Sequence, residues 1–225
     1  MREIVLDTET TGLNPRTGDR LVEIGCVELD NHVPTGNTYH QYVDPERDMP
    51  DEAFAVHGLS EVFLAKHPIF SEVVDGFLEF IGDSDLVIHN ASFDMGFINS
   101  ELNRIGRPAV DFSRAIDTVQ IARCKYPGAQ ASLDALCRRF EIDLSARTKH
   151  GALLDAELLA DVYLELVGGR QPGFELAAER TAAAANMIET RNVPAHPPRP
   201  HAATESERAA HDEFMQQITD PIWRD

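Results

Sequence analysis

The order in which strand-like and helix-like segments follow one another most restricts the fold of this chain. Residues 1–43 contain three strand-like apolar segments with turn-forming residues between them, at 4–9, 21–29 and 38–43. Helical patterns at 52–65 and 71–81 then lead to a further apolar strand at 85–90. An initial meander followed by alternating helices and strands predicts an α/β fold, with a mixed sheet flanked by helices.

Apolar residues at helical spacing predict three more helices, over 95–105, 133–140 and 152–166. Gly106 and Pro108 would end the first helix, Ser132 would cap the second, and Gly168 would end the third. We expect these elements to complete one domain over residues 1–169.

The 225 residues include 38 acidic and 20 basic side chains, which gives a formal net charge of −18. A protein that grips many phosphates by itself usually presents a basic face. This balance therefore argues against a broad surface for duplex nucleic acid. If the substrate is nucleic acid, the contact should be short, and divalent cations or a basic partner should supply the positive charge.

The chain has no apolar run near the roughly 20 residues that cross a bilayer, and its first residues lack a signal-peptide pattern. Cys26, Cys124 and Cys137 are odd in number, widely spaced and set in apolar patterns. We expect reduced core thiols in a cytoplasmic protein, with neither a disulfide framework nor a zinc site.

Two carboxylates end the first strand, in the stretch "LDTET". Asp7 and Glu9 are two residues apart, so they should point to the same face of the sheet, where they could hold a cation. Taken alone, the pattern also fits an ordinary strand end that reaches solvent.

Two further acids lie near predicted helix starts. Asp94 follows the strand end His89-Asn90, and Asp155 follows His150 by five residues. Each acid by itself fits a helix N-terminus stabilised by negative charge, and a lone histidine is more often a surface or capping residue than a base.

Together these acids point to one crevice, because strand ends and helix starts of a mixed sheet meet along one edge. Four converging carboxylates would raise one another's pKa at a cost in stability unless cations joined them. Two Mg²⁺ or Mn²⁺ ions would remove that cost and could support phosphodiester hydrolysis, with a nearby imidazole as general base.

Five stretches in order resemble the motifs of the DEDDh family of 3′–5′ exonucleases: "IVLDTETTGL", "VHGL", "VIHNASFDMGF", "SLDALCRRFEID" and "KHGALLDAELLADVYLEL". The similarity extends from about residue 3 to 169 and is greatest to the proofreading subunits of bacterial DNA polymerase III. It implies a ribonuclease-H-like fold, two divalent metal ions, and release of 5′-mononucleotides from mispaired 3′ DNA ends. The chain would then be a hydrolase within a DNA-directed DNA polymerase.

The resemblance also implies residue roles at the matching positions. Asp7, Glu9 and Asp155 would ligate one ion and touch the substrate, Asp7 would also bridge to the second ion, and Asp94 would assist through water. His150 would be the general base. Glu52 and His57, in "PDEAFAVHGL", match positions that contact the terminal nucleotide.

The composition changes after Gly169, where an Ala- and Pro-rich stretch predicts a flexible linker over 170–203. Within it, 171–176 ("QPGFEL", from Gln171 to Leu176) resembles a peptide that binds the bacterial sliding clamp, although Pro172-Gly173 could simply end the domain. Order should return over 204–225, where Thr204 and Glu207 form a capping-box pattern.

The segment 204–225 is expected to dock on a partner, because Phe214, Ile218 and Trp223 have no core of their own to join. It resembles the segment that binds the polymerase (alpha) subunit, and a small accessory subunit is a further possible partner. Folding back on the first domain is the alternative.

Three other functions fit parts of the pattern. A stand-alone nuclease for RNA ends or short oligonucleotides would use the same five residues, although the docking segment argues against it. A non-catalytic scaffold between clamp and polymerase would not need the intact acidic set. A structural calcium site would need a denser ligand loop than this sequence offers.

Overall fold

The computed structural model describes residues 1–145, 147, 149–168 and 202–217. The chain divides into two compact units, Met1–Phe174 and Glu175–Asp225. The first unit contains five strands: β1 (Arg2–Thr10), β2 (Leu21–Asp30), β3 (Val33–Tyr42), β4 (Asp85–Ile88) and β5 (Ala115–Asp117). They form one sheet in the order β3-β2-β1-β4-β5. The β1–β2 and β2–β3 pairs are antiparallel, and β4 is parallel to both β1 and β5, so the predicted mixed sheet is confirmed.

The described helices of the first unit lie between and after these strands. They are α1 (Asp51–His57), α2 (Glu61–Leu64), α3 (Phe70–Ile81), α4 (Ala91–Arg104), α5 (Thr118–Lys125), α6 (Leu133–Arg139) and α7 (Ala152–Val167). In the second unit the structure describes α8 (Glu205–Gln216), which begins with the predicted capping box of Thr204 and Glu207. None of the described helices is long and apolar enough to cross a membrane.

The sheet separates two apolar cores because side chains of β1 alternate between its faces. Ile4 and Leu6 pack on one face with residues of α3 and α4. Val5 packs on the other face with residues of α6 and α7. The same alternation decides which helix each residue at the end of β1 meets.

Three details differ from the sequence predictions. The third strand begins at Val33 rather than at residue 38, because Asn31 and His32 both adopt positive φ and close a tight hairpin. The helix predicted over 52–65 is two helices, since Gly58 ends α1 in the left-handed conformation. Cys26 and Cys137 are buried as expected, but Cys124 is exposed, so predicting it as a core thiol was wrong.

Several predictions concern residues that the structure does not describe. These are the candidate clamp peptide at 171–176, Ile218, Trp223 and all of the predicted linker at 170–203 except residues 202 and 203. The predicted domain boundaries and docking role therefore stay predictions.

Candidate active site

The end of β1 presents acids toward α7 and a hydroxyl toward α4. Asp7 and Glu9 share the face of Val5, which packs against α7. Glu9, Asp155 and His150 each offer a ligand atom within 4.8 Å of the others. Asp7 lines a cavity of about 300 Å³ together with Asp155 and His150. The structure therefore brings together four of the residues predicted from the sequence.

A glycine in β2 allows Asp155 to reach this cluster. Gly25 lies opposite Asp7 in the β1–β2 pair. A Cβ atom on Gly25 would lie 2.2 Å from the carbonyl carbon of Ala152, in the first turn of α7. Only a residue without a side chain permits so close an approach of helix and strand. Asp155, three residues further along the same first turn of α7, is thereby held next to β1 and is only 3% exposed.

Asp94 reaches the same region from the opposite face of the sheet. It lies in the first turn of α4 and is 2% exposed. The Thr8 hydroxyl, which points away from Asp7 and Glu9, donates a hydrogen bond of 2.7 Å to Asp94 Oδ1. Thr8 thus fixes the orientation of Asp94, a role that the sequence analysis missed and that the alternation of β1 could have indicated.

Burial and mutual repulsion perturb the acids strongly. Burial, followed by the charges of Asp94, Glu9 and Asp155, raises the pKa of Asp7 well above its usual value. Burial and then the charges of Asp155, Glu23 and Asp94 raise the pKa of Glu9 to about 8. Burial also raises the pKa of Asp94 to about 7, although its hydrogen bond from Thr8 opposes the shift. These side chains favour their neutral forms unless a cation joins them.

Arg147 is a cation that the sequence analysis did not identify. Its Nε and Nη2 donate hydrogen bonds of 2.5 and 2.7 Å to the two oxygens of Asp155, and Nη1 donates to Asp134. Asp155 is therefore the member of the cluster whose negative charge is already compensated. The sequence shows that Arg147 is close to His150 along the chain, but it does not show that Arg147 contacts Asp155 and Asp134.

The side chain of His150 is half exposed and lines the cavity. Its Nδ1 lies 3.1 Å from Asp155 Oδ2 and 2.8 Å from Nη2 of Arg147. The first contact requires a proton on Nδ1, whereas the second requires a lone pair there. Only the first arrangement leaves an unprotonated Nε2 that could accept a proton from water.

The two residues predicted to contact a terminal nucleotide differ in their placement. His57, at the end of α1, is 5% exposed, and its Nε2 has no hydrogen-bond partner among the described residues. Burial lowers its pKa, which the charge of Glu23 on β2 partly offsets. Glu52 is exposed in the first turn of α1 and makes no hydrogen bond or ion pair within the described ranges.

The donor set fits divalent metal ions. Glu9 Oε1 is buried and has no hydrogen-bond partner among the described residues, although such an atom is normally satisfied. The neighbouring groups are carboxylate oxygens, which Mg²⁺ and Mn²⁺ prefer as ligands. A bound cation would satisfy this oxygen and remove the repulsion within the cluster.

The comparison with known proteins agrees with the chemistry of this site. The sequence model of the RNase_T family, described as "Exonuclease", matches residues 4–163. The chain belongs to this exonuclease family. A protein named DNA polymerase III subunit epsilon from Rickettsia felis is 48% identical over 228 residues, which cover 97% of each chain. The protein of the same name from Escherichia coli K12 is 49% identical over 176 residues, covering 75% of this chain and 72% of that one.

Solved structures support the same assignment of the fold. Exonuclease X in complex with 5′ overhanging duplex DNA is 26% identical, with a TM-score of 0.57, and the match covers 73% of this chain and 90% of that one. The nuclease domain of 3′hExo, a DEDDh family member bound to rAMP, matches with a TM-score of 0.65 at 19% identity, covering 74% and 91%. The exonuclease thus has the predicted ribonuclease-H-like fold. The predicted function, a metal-dependent 3′–5′ exonuclease of the proofreading type, is confirmed.

Proposed function

We propose that this exonuclease removes mispaired nucleotides from 3′ ends of DNA as a subunit of bacterial DNA polymerase III, by two-metal hydrolysis that releases 5′-mononucleotides. The observation that carries the proposal is the group of buried acids around β1, among which one oxygen of Glu9 has no partner in the described part of the chain. Selectivity for mispaired ends would come from their easier fraying, because a frayed end is already single-stranded when it enters the cavity.

Four carboxylates would hold two Mg²⁺ or Mn²⁺ ions. Asp7, Glu9 and Asp155 would hold one ion, and Asp7 with help from Asp94 would hold the other. Ions bound there supply neutralisation of charge at the scissile phosphate and activation of a water molecule. Thr8, by fixing Asp94, would keep the acids in position for binding.

His150 would act as the general base. Asp155 would accept a hydrogen bond from Nδ1, which is the contact of 3.1 Å, and thereby keep the proton off Nε2. Nε2 of this half-exposed side chain could then take the proton of an attacking water molecule. This arrangement requires that Arg147 stop donating to Nδ1, since one nitrogen does not accept and donate at once.

His57 and Glu52 would receive the terminal nucleotide on the α1 side of the site. The buried and unpartnered Nε2 of His57 offers a polar contact for a nucleotide. The backbone N–H of His150 bonds to the carbonyl of Val56 at 3.4 Å, so α1 adjoins the loop that carries the base. Glu52, which is exposed, would need to turn toward the nucleotide to contact it.

We further propose that 204–225 docks on the polymerase (alpha) subunit and that 171–176 binds the sliding clamp. The name shared by the relatives supports a place in the polymerase complex, and a small accessory subunit would be a third partner. A partner that holds the duplex would explain how a chain of net charge −18 acts on DNA. A cytoplasmic location follows from this role.

The proposal is tested by incubating the purified chain with a 3′-mismatched DNA primer, with and without Mg²⁺ or Mn²⁺. We expect divalent-ion-dependent release of 5′-mononucleotides, faster from a mismatched than from a paired end. Asp7→Ala and Asp155→Ala should each remove nearly all of this release. A matched RNA primer serves as the second arm, and preferential degradation of RNA would contradict the proposal in favour of an RNA nuclease.

A further inference from the structure

A continuous groove leads away from the candidate active site toward α5 and α6. It consists of three adjoining cavities of about 300, 690 and 580 Å³. His89 and Ser132 line both the cavity of the acids and the largest one. Ala129 and Gln130 line both the largest cavity and the last one, which ends at Arg138 and Arg139.

The walls of the largest cavity combine Arg123 and hydrogen-bonding side chains with one acid, Asp117. Residues 118–140, which form α5, α6 and the loop between them, contain four basic side chains and one acidic one. The whole chain has nearly twice as many acidic as basic residues, so this segment reverses the local balance. The basic side chains are Arg123, Lys125, Arg138 and Arg139, and all four are exposed.

Packing fixes where these cations lie. Thr118 and Ala122 are on the buried side of α5. Arg123 of the same helix is exposed and lines the largest cavity. Arg123 has no ion pair within the part of the chain that the structure describes. The Arg139 guanidinium lies 4.5 Å from the centre of the Tyr126 ring, which holds it along the loop side of the last cavity.

The groove and the proposed subsite for the terminal nucleotide lie on opposite sides of β1. His57, which would contact the terminal nucleotide, lies near Glu23 of β2. The groove begins at His89, beyond β4, on the other side of β1. A strand whose last phosphodiester lies over the acids of β1 would therefore continue into the groove after leaving the terminal subsite.

We propose that this groove binds the sugar–phosphate backbone of single-stranded DNA 5′ of the scissile bond, with Arg123 and then Arg138 and Arg139 contacting successive phosphates. A charged groove with hydrogen-bonding side chains is the usual means of holding a single strand without reading its sequence. Gln130 and Asn90 supply such hydrogen-bonding groups along the walls. This inference rests on the proposed function, because it extends the same site.

The test compares binding with catalysis on a substrate too short to enter the groove. Binding is measured by fluorescence anisotropy with labelled oligothymidylates of increasing length that carry a phosphorothioate at the 3′ linkage. Catalysis is measured with the p-nitrophenyl ester of thymidine 5′-monophosphate. The variants are Arg123→Gln and the double variant Arg138→Gln/Arg139→Gln, and the control is Arg104→Gln, which removes an exposed charge from the end of α4.

We expect affinity to rise with oligonucleotide length in the unaltered chain. Each lost phosphate contact should weaken binding about fivefold at 0.1 M salt and reduce the slope of log K against log salt by about 0.7. Hydrolysis of the ester should stay unchanged in all variants.

The proposal that the groove binds DNA would be wrong if Arg123→Gln and the double variant bound with the same affinity and salt dependence as Arg104→Gln. An affinity independent of oligonucleotide length would also contradict it. Failure of the unaltered chain to hydrolyse the ester with Mn²⁺ would instead contradict the proposed function. The anisotropy measurements would still show whether the groove binds DNA.

Discussion

Among single residues, the acids of the candidate active site differ in how far their charge is compensated. Asp155 receives two hydrogen bonds from Arg147, whereas Glu9 Oε1 is buried and has no partner among the described residues. The metal-free protein therefore carries an electrostatic cost that depends on protonation, and this cost should be measurable as a change in stability with pH.

The first prediction is that the metal-free protein becomes less stable as pH rises. Folding raises the pKa of Glu9 from 4.5 to about 8 and that of Asp94 from 3.8 to about 7. The folded state therefore binds more protons than the unfolded state between these values, and the free energy of unfolding falls from about pH 4 to about pH 8. Thermal unfolding in EDTA across this range measures the effect.

Divalent ions should reverse this trend, because they compete with protons for the same oxygens. Glu9→Gln should give a flatter dependence on pH in EDTA, since it removes one of the titrating groups. Glu165→Gln, which neutralises an exposed acid on α7, should follow the unaltered protein. A metal-free stability that increases toward pH 8 would contradict the clustering of the acids.

The second prediction concerns the general base. His150→Ala should slow hydrolysis by on the order of 10²–10⁴ and remove the limb of the pH–rate profile that reports deprotonation of the base. His211→Ala, which removes an exposed imidazole from α8, is the control and should leave the rate unchanged. An identical pH–rate profile in His150→Ala would show that another group accepts the proton.

The sequence indicated the acids but not the groups that fix them. Period-two alternation in "LDTET" and the helix positions of Asp94 and Asp155 were readable from local patterns. Arg147 was not, because its contacts with Asp134 and Asp155 depend on how α6 and α7 pack. For the same reason, the partner of Thr8 on α4 became known only from the fold.

At the scale of elements, the approach of α7 to the sheet decides whether the site forms. The third prediction is that Gly25→Ala both destabilises the protein and nearly abolishes hydrolysis. The added methyl would clash with backbone atoms of Ala152 and Leu153, which have no room to move without shifting α7 and Asp155. Thermal unfolding and primer degradation on the same preparation measure the two effects.

Gly96→Ala is the matched control for this substitution. Apart from its chain neighbours and the nearby backbone of α4, no described atom lies within 4 Å of the position where the Gly96 Cβ would be. The change should leave activity unchanged and stabilise the protein by about 0.5–1 kcal/mol. Full activity in Gly25→Ala would mean that α7 does not depend on this contact to place Asp155.

Long, periodic elements were predictable from the sequence, and short ones were not. The alternating strands β1 and β2 and the helix α7 closely follow the predicted patterns. The three-residue strand β5 and the helix α5 had no prediction, because their patterns are too short to distinguish. These two elements form walls of the groove, so its existence was not readable from the sequence.

At the scale of the whole molecule, the second unit is the proposed means of recruitment to a polymerase. In α8, Phe214 is 60% exposed, so its ring is accessible to a partner. The fourth prediction is that Phe214→Ala weakens binding to the polymerase (alpha) subunit by on the order of tenfold, as for an aromatic anchor. Surface plasmon resonance with the purified polymerase subunit measures this loss.

The same substitution should leave hydrolysis of a free oligonucleotide unchanged, because the acids lie in the first unit. Glu213→Ala, which alters the neighbouring exposed residue of α8, is the control and should bind as the unaltered chain does. Unchanged binding in Phe214→Ala would remove Phe214 from the proposed contact.

If acids from β1, α4 and α7 together hold divalent ions, the protein should bind manganese, and this binding can be measured. Isothermal titration with Mn²⁺ at pH 8, supported by electron paramagnetic resonance, gives the number of ions bound per chain. We expect two ions per chain and loss of binding in Asp7→Ala, because Asp7 is proposed to contact both. A chain that binds no Mn²⁺, or an Asp7→Ala variant that binds it as well as the unaltered chain, would show that these acids do not form the proposed metal site.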